Sequence, residues 1–237
     1  MSFTIHFFRI IQNTIMQNFT SEKAKELANN GYFFNRAYYL QRALSLVKPH
    51  WKLLMAFTTI YLGSMFLLLI NPAIGQIVQM VVSGPISAGY YYTLKKIIDN
   101  EVITINDFFE GFKSFVPTML VFMMVNLLTT VSLALYYFPA IFVATIYLFA
   151  MPLVVFGKMT YWKAMESSRI IIMKKFWEAL LFGATIIGIN ILGILALGVG
   201  LLFTLPLSYA LILVAYEDIY GFENEPTYSK NDFSHFR

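Results

Sequence analysis

Three long stretches of the chain contain no charged side chain, and each is flanked by segments in which charged and aromatic residues mix. The stretches are Leu53 to Leu94, Ser114 to Gly157 and Ala179 to Tyr216. A helix needs about 20 apolar residues to cross about 30 Å of hydrocarbon, so each stretch is long enough for two crossings. The pattern therefore predicts three pairs of membrane-spanning helices.

Residues that stop or bend helices lie near the middle of each stretch. They are Asn71-Pro72 and Gly75 in the first stretch, Phe138-Pro139 in the second, and Gly193, Gly198 and Gly200 in the third. We therefore predict an all-α integral membrane protein, with six transmembrane helices arranged as three tandem hairpins at about 53–94, 114–157 and 179–216.

The basic residues indicate how these hairpins are oriented. All 17 Lys and Arg residues lie outside the three uncharged stretches, and the turns within the stretches carry none. Cytoplasmic loops of membrane proteins are enriched in Lys and Arg. We expect a multi-pass protein with both termini and the two longer loops in the cytoplasm.

The segments before the hairpins have aromatic residues at near-helical spacing beside charged ones, which is typical of helices on a membrane surface. One such helix is predicted from Tyr32 to about Val47. The chain then divides into a cytoplasmic amphipathic arm (1–48), a six-helix membrane domain (49–221) and a cytoplasmic tail (222–237). Aromatic residues at the edges of the apolar stretches, such as Tyr90 and Trp177, are expected at the membrane interface. The candidate partner or membrane surface consists of Phe7, Tyr39, Phe108, Phe112 and Trp162.

Each predicted return helix contains one proline, at Pro85, Pro152 and Pro206, which suggests an internal threefold repeat. A proline bends a helix by removing a hydrogen bond, so three bent helices could surround a cavity. Neutral polar residues within the stretches could line it, or could simply hydrogen-bond between packed helices. The candidate kink and cavity residues are Pro85, Pro152, Pro206, Gln76, Gln79, Asn126 and Asn190.

Composition agrees with a membrane location and excludes several chemistries. The chain is 58% hydrophobic and 13% charged, far from the balance of a soluble domain. It has no cysteine, which excludes disulfides, thiol nucleophiles and thiolate metal sites. The net charge of +4 comes from residues that flank apolar stretches, so the expected partner is membrane lipid and not nucleic acid.

No group of residues has the spacing of a catalytic or metal site. His6, His50 and His235 are isolated from one another and from other ligands. The acidic residues of the middle loop are expected to be solvated or paired with Lys95, Lys96 and Lys113. We expect no enzyme activity, no cofactor and no metal.

Four motifs resemble a known family. They are Gly84-Pro85-Ile86-Ser87-Ala88-Gly89-Tyr90, Asp107-Phe108-Phe109-Glu110-Gly111-Phe112, Trp162-Lys163-Ala164-Met165-Glu166-Ser167-Ser168-Arg169 and Ala215-Tyr216-Glu217-Asp218-Ile219. Over about Lys48 to Gly221 the chain resembles the uncharacterised six-helix bacterial inner-membrane proteins of the YciC type. These are similar to the membrane domain of some glycerophosphodiester phosphodiesterases. The resemblance implies a bacterial inner-membrane protein and supplies no catalytic residue.

Two functional hypotheses follow. The first is a non-enzymatic accessory or scaffold subunit of a membrane complex, whose aromatic segments contact other membrane protein subunits or the inner leaflet. The second is binding or transport of a lipid or small apolar molecule in a cavity between the kinked helices.

Overall fold

In the computed structural model, the described residues are 20–65, 70–135 and 137–222, and every regular element among them is a helix. Helix α1 includes residues 20–30. The others are α2 (Arg36–Met65), α3 (Pro72–Ile98), a 3₁₀ helix (Ile105–Ser114), α4 (Phe115–Leu135), α5 (Tyr137–Ile146), α6 (Ala150–Val155), α7 (Tyr161–Lys174), α8 (Phe176–Leu195) and α9 (Leu201–Tyr220).

Three helical stretches in the described residues are long and apolar enough to cross a membrane. They are Ile105–Ala134, which combines the 3₁₀ helix with most of α4, then Phe176–Leu195 and Leu201–Tyr220. A shorter apolar stretch, Ala140–Val155, covers most of α5 and all of α6. The prediction of a helical membrane protein is confirmed at this level.

Helix α2 is longer than the sequence pattern predicts. It begins after Asn35, whose side-chain oxygen accepts a hydrogen bond from the Tyr38 backbone N–H at 3.1 Å. It then continues to Met65 and passes through Pro49. The predicted end of this helix near Val47 is therefore wrong, because the loss of one backbone hydrogen bond at Pro49 does not end the helix. The proposed boundary between the arm and the membrane domain falls inside α2.

The long helices contact one another through side chains. Thr58 of α2 lies 2.7 Å from the Tyr90 hydroxyl of α3, and Phe57 packs on the same ring. Asn190 of α8 donates a hydrogen bond to Ser208 of α9 at 2.7 Å. Helix α9 also packs along α2, so the first and last long helices of the described chain are neighbours.

Three glycines allow the backbones of α3, the 3₁₀ helix and α4 to touch. A Cβ atom added to Gly89 would overlap the Phe108 carbonyl, and one added to Gly111 would overlap the Pro85 carbonyl. A Cβ at Gly84 would similarly overlap the carbonyl of Thr118 in α4. The motif at 84–90 is thus in direct backbone contact with the motif at 107–112.

Candidate functional site

The three prolines that define the candidate cavity are all buried. Pro85 lies inside α3 and Pro206 inside α9, whereas Pro152 is in the first turn of α6 after a break at 147–149. Around them, aromatic rings join α3 to α9 and α9 to the residues flanking α6. The Tyr90 and Tyr209 rings stack with centroids 4.4 Å apart, and those of Phe156 and Tyr216 lie 5.8 Å apart. Packed side chains therefore occupy the space between these helices.

Ser168 stabilises the helix break that precedes Pro152. Its hydroxyl donates to the Ile146 carbonyl at 2.7 Å and accepts from the Phe149 backbone N–H at 3.2 Å. Both backbone groups would otherwise lack a partner where α5 ends and α6 begins. The motif at 162–169 thus has a structural role in holding the interrupted helix together.

The polar residues predicted to line a cavity do not converge. Asn190 is half-buried and bonds to Ser208 between α8 and α9. Asn126 and Gln76 are exposed, and Gln79 is half-buried. The Asn126 side-chain N–H donates a 3.0 Å hydrogen bond to the Phe122 carbonyl of its own helix. Two of these four residues make the interhelical hydrogen bonds expected of packed membrane helices: Asn190 with Ser208, and Gln79 with the Tyr61 hydroxyl of α2.

A buried group of hydroxyls between α2, α3 and α9 is the polar feature that the sequence pattern misses. Thr58 pairs with Tyr90, and Ser87 lies 2.9 Å from the Tyr209 hydroxyl. Tyr90 has no exposed surface, so its predicted place at the membrane interface is wrong. The sequence around a tyrosine at the end of an apolar run is the same whether its ring faces lipid or another helix.

The charged end of the bundle is closed by pairs between the start of α2 and the end of α9. The Tyr39 hydroxyl donates to Asp218 at 2.7 Å, and Arg42 forms a 2.6 Å ion pair with Glu217. Burial raises the pKa of Tyr39 above its usual value, and the Asp218 carboxylate adds to this effect. Tyr39 therefore remains a protonated donor, and residues 215–219 join the end of α9 to the start of α2.

The charged residues at the end of α3 and in the 3₁₀ helix pair locally, as predicted. Lys96 bridges Asp107 at 2.7 Å and Glu110 at 3.2 Å, and Lys113 lies 3.3 Å from Glu110. Asp107 also accepts from the Thr104 backbone N–H, which fixes the start of the 3₁₀ helix. These carboxylates hold the 3₁₀ helix against α3.

The predicted aromatic surface divides into buried and exposed members. Tyr39 and Phe108 have no exposed surface, so their assignment to a partner or membrane surface is wrong. The reason is tertiary: Phe108 stacks on Phe57 with centroids 4.0 Å apart, and Tyr39 packs edge-on to Phe182. Phe112 and Trp162 are 37% and 67% exposed and remain available for contact. Phe7 lies outside the described residues.

Within 20–65, 70–135 and 137–222, no three His, Asp or Glu residues are arranged to hold a metal ion. The described features are those of a helical protein with three helices apolar enough to cross a membrane, in which polar side chains bond within and between the helices. No protein-family model matches the chain, and no significant match was found among curated proteins or solved structures.

Proposed function

We propose that the chain crosses the membrane six times as three hairpins, α2–α3, α4 to α6, and α8–α9, with both termini in the cytoplasm. Three apolar helices and the side-chain contacts of α2 with α3 and of α8 with α9 support this topology. Assignment to the bacterial inner membrane and to proteins of the YciC type depends on the four motifs. Three of these motifs contribute helix-to-helix contacts and the other stabilises a helix break, so all four behave as parts of one structural framework.

Within this framework, the function that the surface supports best is that of a non-enzymatic accessory or scaffold subunit. The observation that carries the proposal is the exposure of aromatic side chains at the charged end of the bundle. Phe33 is 81% exposed and Trp162 67% exposed, close to several basic residues. Exposed aromatic residues are enriched where proteins meet one another. Their partners would be other membrane protein subunits.

Binding or transport of a lipid between the kinked helices is the weaker candidate. All three proline side chains are buried, and the backbone beside Pro85 is too close to Thr118 to admit even one methyl group at Gly84. Pockets that bind small molecules typically have volumes of about 300–1,000 Å³. Opening such a space would require α3 to separate from α4.

Site-specific photocrosslinking tests the scaffold role. A benzophenone amino acid would replace Phe112 or Trp162 in the full chain, in its native membrane. The matched control is Leu197, which is 95% exposed in the turn between α8 and α9 at the opposite end of the bundle. We expect discrete higher-mass protein adducts from Phe112 and Trp162 and none from Leu197.

Adducts containing only lipid, or an uncrosslinked chain at both aromatic positions, would overturn the scaffold proposal. Equal protein adducts from Leu197 would also count against it, because contact would then be unselective.

A further inference from the structure

Asn126 places an exposed amide at the middle of α4. The side chain lies on the outside of the helix, and its N–H group donates to Phe122 one turn earlier at 3.0 Å. In the described part of the chain, the amide oxygen receives no hydrogen bond. Helix α4 is also the least covered candidate span: 11% of its most apolar stretch is buried, compared with 56% in α9.

An amide in this position needs a partner that lipid does not supply. Hydrocarbon offers no hydrogen-bond donor, and an unsatisfied polar group there costs several kcal/mol. Membrane helices usually satisfy Asn by hydrogen bonds to another helix. Among the described residues, the helices that contact α4 leave the Asn126 oxygen without a donor, so we expect the donor to come from a second molecule.

The chemistry of the amide favours a second copy of this chain as its hydrogen-bond partner. An amide both donates and accepts, so two Asn126 side chains complement each other. A twofold axis along the membrane normal keeps every residue at the same depth, and therefore places Asn126 of each copy opposite its equivalent. We propose that the protein forms a homodimer through α4, with the two Asn126 amides paired near its centre.

The rest of this face suits such a contact. Residues 119, 123, 126, 130 and 133 recur every three or four positions, so they lie on one side of α4. None of the five is buried within the chain. Met119 and Met123 have flexible side chains that adapt to a facing helix, and Thr130 adds a second polar group one turn from Asn126. The dimer requires α4 to lie in the membrane, but it is independent of the partners proposed for the aromatic surface.

Förster resonance energy transfer (FRET) tests the dimer. Full-length protein labelled with a donor is mixed with full-length protein labelled with an acceptor in phosphatidylcholine–phosphatidylglycerol vesicles, and energy transfer reports dimerisation. We expect Asn126→Leu to weaken dimerisation about tenfold and Asn126→Gln to retain it, since glutamine keeps the amide. Gln76→Leu is the control, because it removes an exposed amide from α3 instead. Energy transfer that is unchanged in Asn126→Leu would overturn the proposal. So would a wild-type protein that stays monomeric at every protein-to-lipid ratio, since the amide would then serve another occupant.

Oxidative crosslinking gives a second measurement that uses folded protein. Thr130→Cys should form a disulfide-linked dimer, because Thr130 shares the Asn126 face. Leu128→Cys should not, because Leu128 is exposed on the opposite side of α4. Equal crosslinking at both positions, or none at Thr130→Cys, would contradict an interface centred on Asn126.

Discussion

Tyr39 and Asp218 are 179 residues apart in the chain, yet the Tyr39 hydroxyl donates a 2.7 Å hydrogen bond to the Asp218 carboxylate. This bond ties the first turns of α2 to the last turns of α9. Beside it, the Tyr32 hydroxyl reaches the Ile171 carbonyl at 3.0 Å and attaches the segment before α2 to α7. The charged end is therefore part of the folded bundle and not a separate arm resting on the membrane.

Replacing Tyr39 with phenylalanine should destabilise the protein by about 1–3 kcal/mol. The ring and its contact with Phe182 remain, but Asp218 loses its hydrogen-bond donor in a partly buried site. Denaturant unfolding in detergent micelles, followed by tryptophan fluorescence, measures the change. Tyr161→Phe is the control, because the described structure shows no hydrogen bond from the Tyr161 hydroxyl. Equal effects of the two substitutions would mean that the Tyr39–Asp218 bond does not contribute.

Replacing Gly89 with alanine should be far more damaging. The new methyl group would overlap the Phe108 carbonyl, and the backbones of α3 and the 3₁₀ helix would have to separate. Overpacking of this kind is expected to cost at least about 2 kcal/mol. Size-exclusion profiles and thermal melts of detergent-solubilised protein would show the loss.

Gly63→Ala in α2 is the matched control for Gly89, because no atom lies within 4 Å of the added methyl group. It should change stability by no more than about 1 kcal/mol. A Gly89→Ala protein as stable as Gly63→Ala would show that α3 and the 3₁₀ helix are not in backbone contact.

Replacing Ser168 with alanine should cost about 2–3 kcal/mol, because it leaves the Ile146 carbonyl and the Phe149 N–H without their partner. Ser167→Ala changes the neighbouring serine, which is also buried but has no hydrogen bond among the described residues. Hydrogen exchange at residues 146–150 should rise in the Ser168 variant alone. Unchanged exchange there would exclude a role for Ser168 at the helix break.

The sequence pattern predicts where the helices lie better than it predicts which helices pack against each other. Long uncharged runs require helices in lipid, because every backbone polar group must be satisfied within the segment. The start of α3 also follows local chemistry, since Asn71 caps it and Pro72 fits its first turn. These features depend on residues close together in the chain, and they can be deduced from the sequence alone.

The candidate surface was less predictable for a physical reason. Phe108 and Phe112 have the same spacing pattern and the same interfacial chemistry, yet Phe108 is buried and Phe112 is 37% exposed. The difference is made by Gly89, which lets the 3₁₀ helix approach α3 on the Phe108 side. A hydrophobic stripe shows that a face is covered, but it does not show whether lipid or protein covers it.

Labelling two exposed positions that lie far apart in the chain tests the three membrane crossings that the six-span topology places between them. Val102, between α3 and the 3₁₀ helix, is 90% exposed, and Leu197, between α8 and α9, is 95% exposed. In the proposed six-span topology, α4, the α5–α6 segment and α8 all cross between them, so the two residues lie on opposite sides. If α5–α6 did not cross, two crossings would return the chain to the same side.

Because the chain has no cysteine, single substitutions report these positions without background. A membrane-impermeant maleimide should label Leu197→Cys in intact cells and Val102→Cys only after the membrane is permeabilised. Both variants should react equally in detergent, which controls for intrinsic exposure, and the unsubstituted chain should not react. Labelling of both cysteines from one side would rule out the six-span arrangement. If Val102→Cys alone were labelled in intact cells, the number of crossings between the two positions would still be odd. The orientation would then be opposite to the one that the basic residues predict.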